Sequence, residues 1–451
     1  MKYKLSLETV PNWALFIIFV SFFVFFGLFV AFGVMGPSPY TPSPKSLPSI
    51  DPTDFKKFLS GQVRLEVIQD DLKTSNSEFY FFVYLYPNPT LNSLTGFSQN
   101  LKVNITLYGR PTTGEDVLLT PKEGDTHSRV LECHQGANKC QPILLVNMNI
   151  IQYHSYVIQF TILPQPNQNL NLFSPKLDAL LIYANWEYTF YELCFRYFFT
   201  AMTLFVLLFF FSLTRWKQYF YEWHTEQKWI LILLCALLLY NNPLYIFQFV
   251  SYNWIYPFFN VIFRVTFICF MLLILLVTTQ SMYVKPVDRT FLKFYVGKIL
   301  LVGCLWYTLM MSFTYVTFQG DPAFSFSEDT RFYKILLGFV ISILILYLLT
   351  LFYYIIRILG LWSKLPRKYT TKFRMIWGMT IFVMVVFVVV LVILYVSGIF
   401  TPAVAFLSFE VVFNYYTFIL AYLFLPSWQK EEISNYEIAP DSLIGGDGLD
   451  L

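Results

Sequence analysis

The strongest constraint on this chain is a series of eight apolar stretches, each long enough to cross a bilayer. They run from Trp13 to Val34, Phe190 to Leu213, Trp229 to Val250, Tyr256 to Met282, Ile299 to Phe318, Phe332 to Leu359, Met375 to Gly398 and Pro402 to Leu425. About 20 apolar residues in a helix cover the ~30 Å hydrocarbon layer, and inside lipid every backbone N–H and C=O must be bonded within the segment. Only 13% of the residues are charged, against roughly a quarter in a soluble domain. The fold class expected is therefore a membrane all-α bundle, one N-terminal anchor helix plus seven helices, carrying an all-β sandwich domain outside the cytosol.

Basic residues orient the spans, because cytosolic loops hold the excess of Lys and Arg. Arg215, Lys217 and Lys228 follow the second span, Lys285, Arg289, Lys293 and Lys298 the fourth, and Lys364, Arg367, Lys368, Lys372 and Arg374 the sixth. The opposite short loops hold only Arg331 and Lys334, beside Asp321, Glu328 and Asp329. Both termini are thus expected in the cytosol and the β-domain in the lumen or outside the cell. The first stretch exceeds the 7 to 15 apolar residues of a signal-peptide core, which favours a retained anchor; the small residues Ala31 and Gly33 supply the cleavage alternative. A net charge of +3, scattered without a basic stripe, excludes nucleic acid as an expected partner.

The divisions expected are residues 1–35 for the cytosolic N-terminus and anchor, 36–50 for a proline-rich stalk, 51–188 for the β-domain, 189–426 for the bundle and 427–451 for a disordered acidic tail. Gly36 to Pro44 carries four prolines, cannot form a helix and should stay extended as a spacer. Leu101, Val103, Ile105 and Leu107 alternate with Lys102, Asn104, Thr106 and Tyr108, the period of a half-buried strand. Val63–Ile68, Phe79–Tyr86, Ile143–Asn149, Tyr156–Leu163 and Ala179–Tyr183 read the same way, and short strands so spaced suggest a sandwich. Cys133 and Cys140 are this domain's only cysteines, and in an oxidising compartment they should pair. A metal reading adding His127, His134 and His154 matches no ligand spacing. Asn104-Ile-Thr106 is the one glycosylation sequon. Cys194, Cys235, Cys269 and Cys304 fall in spans as packing residues.

Ionisable groups near the bilayer centre are functional-site hypotheses by default. Arg264 and Glu410 each lie about eight residues into their spans from the luminal side, at similar depth for ~1.5 Å per residue, and are expected to pair, either to fix register or to line a polar cavity. Asn241-Asn242-Pro243 should kink the third span, since proline removes a helix hydrogen bond. Asn414, with Tyr415 and Tyr416, adds polar groups one turn beyond Glu410. Glu187, Glu192 and Arg196 ring the start of the second span and read, with Trp186, Trp254 and Tyr256, as interfacial anchors. No nucleophile with an adjacent base, phosphate loop or metal cluster is present in the sequence, so neither enzymatic activity nor a cofactor is expected.

One helix, a luminal β-domain and seven helices resembles the plan of the Wntless-like, or GOLD-domain seven-transmembrane, family. Glu226-Gln-Lys-Trp229, Leu237-Leu-Leu-Tyr-Asn-Asn-Pro243, Phe406-Leu-Ser-Phe409 with Asn414, and Pro426-Ser427 resemble its transmembrane protein 181 branch, as do Leu131-Glu-Cys133 and Lys139-Cys140. The interval between the cysteines is longer than that pattern, and Asn242 stands where the pattern often has an acid, so no ion role is carried to Asn242. The resemblance implies a GOLD-like sandwich over a receptor-like bundle whose cavity opens to the lumen, in Golgi, endosomal or plasma membranes. The family's namesake escorts a lipid-modified secreted protein, and other relatives are linked to trafficking, ion conduction or receptor roles.

The function expected is a trafficking receptor or escort for luminal, lipid-modified cargo, in contact with membrane lipid and with cytosolic sorting machinery through the tail residues Tyr436 and Leu443-Ile444. The alternatives are a seven-helix signalling receptor, and a channel or transporter built on Arg264 and Glu410.

Overall fold

The computed structural model describes residues 3–45, 52–70, 78–88, 96–111, 114–120, 124–148, 151–163, 173–250, 255–284, 289–318, 330–361 and 402–430, with Leu72, Asn76, Asn253, Gly378 and Thr380. The predicted span from Met375 to Gly398 lies outside them apart from Gly378 and Thr380, as do the tail signals at Tyr436 and Leu443-Ile444. The chain opens with strand β1 (Tyr3–Leu5), one helical turn α1 (Ser6–Thr9) and the long helix α2 (Asn12–Val34). Phe16, Val24 and Leu28 on α2 are exposed, whereas Phe22, Phe26 and Phe29 are buried against the bundle. The first face suits lipid and the second suits helix packing.

The β-domain follows: β2 (Tyr40–Lys45), helix α3 (Pro52–Leu59), β3 (Leu65–Gln69), β4 (Phe79–Pro87), β5 (Phe97–Arg110), β6 (Val117–Leu118), β7 (Asp125–Cys133), β8 (Ile143–Met148), β9 (Ser155–Leu163) and β10 (Phe173–Ala184). They form a four-stranded sheet in the order β2-β10-β4-β8 and a five-stranded one in the order β3-β9-β5-β6, with β7 also paired to β5. Phe79, Phe81, Val83 and Leu85 alternate inward along β4 and share one core with Leu101, Ile105, Ile158 and Phe160 of the other sheet. Phe79 meets Tyr156 at 5.1 Å and Phe81 meets Phe160 at 5.8 Å between ring centres. Burial of such rings is the main force holding the layers together.

Within the β-domain, the proline-rich segment and strand β7 differ from the sequence reading. The proline-rich segment is extended, but it is the edge strand β2 rather than a spacer, with Pro42 opposite Ile182 and Pro44 opposite Leu180. Alternate prolines put both missing donors on one side of an edge strand, where the ladder does not need them. Strand β7 pairs with β5 from Ile105↔Asp125 to Phe97↔Cys133; its polar run Asp125-Thr-His-Ser-Arg129 hides the alternation that marks a half-buried strand.

The bundle comprises α4 (Trp186–Lys217), α5 (Thr225–Tyr240), the short α6 (Phe247–Val250), α7 (Ile255–Ser281), a π turn (Phe291–Val296) running into α8 (Gly297–Phe318), α9 (Thr330–Gly360) and α10 (Pro402–Leu423). Among the described residues six helices, α2, α4, α7, α8 with its π turn, α9 and α10, are long and apolar enough to cross a membrane. Helix α5 has 16 residues because the third span is broken at Asn241-Asn242-Pro243 rather than only kinked. One core joins α2, α4, α5 and α10, a second joins α7, α8 and α9, and α7 contributes to both through Phe267 and Val265.

Helix α2 lies against α10 so closely that a Cβ on Gly33 would come within 2.8 Å of Val404 Cα. Ser21 Oγ and Tyr415 OH are 2.7 Å apart across the same contact. At the opposite end from the β-domain, β11 (Pro426–Lys430) pairs antiparallel with β1, and the Ser6 amide donates to Leu425 O at 2.8 Å. Residues 427–430 are therefore part of a two-stranded ribbon, not of a disordered tail, because β1 supplies the hydrogen-bond partners that this short polar segment lacks alone.

Candidate functional site

Two chain connections enter and leave the β-domain side by side. The Asn185 amide donates to Pro39 O at 2.8 Å, Asn185 Nδ2 donates to Ser38 O at 3.0 Å, and the Ala184 amide donates to Glu78 O at 2.9 Å. Below this neck lies a cavity of about 700 Å³, within the ~300–1,000 Å³ range of small-molecule sites. Pro39, Tyr40, Glu78 and Ala184 form its roof; Tyr188 and Glu192 of α4, Tyr240 of α5, Arg264 of α7 and Glu410 of α10 form a polar belt. Val261, Val265, Ile268, Phe313, Phe406, Phe409 and Phe413 supply apolar wall.

Glu78 accepts hydrogen bonds from Tyr40 OH and Tyr80 OH, each at 3.0 Å. Burial pushes its carboxyl above the ordinary glutamate range, and the two phenols offset part of that shift.

Arg264 and Glu410 do line one cavity, yet the ion contact of Arg264 runs to Glu192, at 3.9 Å. The Glu410 carboxylate instead meets the Asn414 amide at 3.4 Å, and among the described residues it has no ion pair. The sequence suggests an interfacial place for Glu192 and Arg196; the structure buries the pair. Arg196 is 1% exposed and donates to Glu192 Oε1 through Nε at 2.9 Å and Nη2 at 2.6 Å. Tyr245 OH donates to the other Glu192 oxygen at 3.0 Å. The Arg196 guanidinium lies 4.4 Å from the Tyr245 ring centre and 5.2 Å from that of Phe406, a cation–π arrangement. Two glutamates and two arginines thus balance formally, with Glu192 at the centre. Their i, i+4 spacing signals the Glu192–Arg196 pair in sequence, but proximity to the span's start suggests an interface, not burial.

A second polar cluster lies beneath. Asn241 Nδ2 donates to Thr203 Oγ1 and to Asn414 Oδ1, both at 2.9 Å, while Asn414 Nδ2 returns a bond to Asn241 Oδ1 at 2.9 Å. All three residues are fully buried. At the helix break Asn242 adopts φ +53°, a left-handed conformation that asparagine tolerates better than most residues, and its amide donates to Asn260 Oδ1 at 3.2 Å. Pro243 O accepts from Tyr197 OH at 2.9 Å. The amides therefore join α4, α5 and α10 across the interruption, and Asn242 ties it to α7.

Residues 185–428 match the family described as Wntless-like, transmembrane domain, which is more than half of the chain. The chain belongs to the Wntless-like family. It is also 25% identical over 386 residues to human transmembrane protein 181, covering 80% of this chain and 76% of that protein. Family membership and the apolar helices together make this an integral membrane protein.

In the β-domain, Cys133 and Cys140 are joined by a disulfide. Among the described residues no group of three His, Cys, Asp or Glu side chains is placed to hold a metal. Asn104 is half-buried, and a Cβ on Gly124 would lie 2.8 Å from its amide. The sequon's Thr106 is 2% exposed and its hydroxyl accepts the Gly124 amide at 2.9 Å. A glycan at Asn104 would have to displace that turn. Electrophoretic mobility of the expressed protein should therefore be the same for wild type and Asn104→Gln, with or without N-glycosidase; a mobility shift abolished by the substitution would show the turn opens before the sugar is added.

Proposed function

We propose that the protein is a trafficking receptor or escort of secretory and endosomal membranes that holds the acyl group of a lipid-modified luminal cargo in the cavity beneath its β-domain. The cavity's position carries this reading: it is roofed by the β-domain and walled by the bundle, so one ligand can touch both. The basic loops argue for a luminal β-domain and cytosolic ends, and the family's namesake supplies the precedent of an escort.

The polar belt favours a particular chemistry. The lining includes the phenols of Tyr188 and Tyr240 and the Arg264 side chain, which is 41% exposed, so the belt can donate to an acceptor. The four surrounding bundle charges already cancel. With Glu78 in the roof besides, an anionic ligand would meet no surplus positive charge in a low-dielectric site, whereas an ester or amide carbonyl joined to an apolar chain fits both the donors and the phenylalanine wall. No step of this role calls for catalysis.

Lipid extracted from protein purified in a mild detergent, analysed by mass spectrometry alongside a cryo-electron map, tests the reading. Acyl-chain density in the cavity and co-purifying acylated luminal protein are expected. An empty cavity with no such cargo would overturn the proposal, and a reconstituted conductance altered at Arg264 or Glu410 would favour the channel class instead.

A further inference from the structure

Both sheets of the β-domain turn apolar as well as polar groups outward. The five-stranded sheet shows Glu66, Ser98, Asn100, Lys102, Ser128 and Glu132, interspersed with the exposed Ile68, Val117, Leu118 and Val130. On the four-stranded sheet, the outward positions of β4 are Tyr80, Phe82, Tyr84 and Tyr86, alternating with the buried Phe79, Phe81, Val83 and Leu85. Across the ladder Tyr80 faces Ile182, Phe82 faces Leu180 and Tyr84 faces Asp178, while Pro42 and Pro44 extend the apolar surface onto β2.

This face is graded. Its inner end joins the cavity roof, since Tyr80 shares Glu78 with Tyr40, and there the outward groups are aromatic or aliphatic. Its outer end is charged. Lys139 pairs with Asp178 at 2.9 Å, whereas the exposed Lys176 has no ion pair among the described residues and its ammonium stands 4.6 Å from the Tyr86 ring centre. Phe82 and Tyr86 are four residues apart, or ~13 Å along a strand at ~3.3 Å per residue.

From this continuity we infer that the outer face of the four-stranded sheet seats an extended segment of the cargo polypeptide, apolar beside its acyl group and bearing a carboxylate about four residues along, which meets Lys176. The inference rests on the escort reading and names the part of the cargo outside the membrane. The rings bury apolar side chains, and the exposed Lys176 ammonium, which acts on Asp178 only from beyond the close Lys139–Asp178 pair, supplies the complementary charge. A proline-bearing edge at β2 makes addition of the segment as a further strand there unfavourable, so it lies over the face.

The test uses the full chain in nanodiscs with fluorescent peptides containing an O-palmitoyl serine, leucine neighbours and a glutamate four residues to either side. Lys176→Glu should weaken the better of these peptides about two- to fivefold, the size of an exposed ion pair, and exchanging its glutamate for lysine should restore binding to the variant. Phe82→Ser should weaken the same peptide about tenfold, as loss of an aromatic anchor does, while palmitic acid methyl ester binds wild type and both variants alike. If peptides with glutamate, glutamine or lysine bind wild type and Lys176→Glu equally, the sheet-face assignment is wrong although the cavity reading stands. If neither the acylated peptides nor the methyl ester binds wild type, the escort reading fails and takes this assignment with it.

Discussion

Glu192→Gln should be the most damaging single substitution in the bundle. Removing that carboxylate leaves Arg196, 1% exposed, without its ion partner, and deprives Arg264 of the one described at 3.9 Å. Breaking a buried pair from one side costs about 3–5 kcal/mol, a large share of the ~5–15 kcal/mol that holds a typical protein folded. The expected result is loss of the monodisperse peak in size-exclusion chromatography, or a steep fall in Tm for whatever protein survives extraction. Glu410→Gln is the informative comparison, because an amide can still meet Asn414 and no ion pair is broken among the described residues; its effect should be several-fold smaller. Equal damage from the two would mean that Arg264 leans on Glu410 after all.

Gly33→Leu should be the second severe change. The space where its side chain would begin is occupied by backbone, with Val404 Cα at 2.8 Å, Val404 N at 3.2 Å and Ala403 O at 3.3 Å. Backbone cannot rotate aside, so α2 must shift from α10 and strain the Ser21–Tyr415 contact; overpacking of this kind costs about 1–3 kcal/mol or more. Gly27→Leu serves as the control on the same helix. Nothing lies within 4 Å of its position, and leucine has the better helix propensity, so its Tm should equal or exceed that of wild type. A Gly33→Leu protein with unchanged Tm would show that α2 does not pack as described.

How legible the molecule was from sequence follows from the range of the signal. Long helices such as α7 and α9 are legible to within two or three residues at each end, because their lengths are set by a solvent boundary that every apolar residue reports. Strand β4 is legible for the same reason at period two. Strand β7 was not, since its neighbour β5 rather than its own composition makes it a strand. The cavity's membership was partly legible: Arg264, Glu410, Asn241 and Asn414 are conspicuous as polar residues in apolar runs. Their partnerships were not, because depth along a helix does not state which way a side chain points. Arg196 reads as an anchor in sequence, since the first turns of a span usually stand at headgroups; only the descent of α4 beneath the β-domain buries it.

The ribbon formed by β1 and β11 changes how force passes through this molecule. With Tyr3 opposite Lys430 and Leu5 opposite Pro426, a pull on the polypeptide beyond residue 430 loads interstrand hydrogen bonds and, through them, α2. Helices α2 and α10 therefore act as one post, and a tether or fusion attached at either terminus is felt by both. A rearrangement that swings α10 outward by itself would have to unzip this ribbon first, which makes the other helices the natural moving parts.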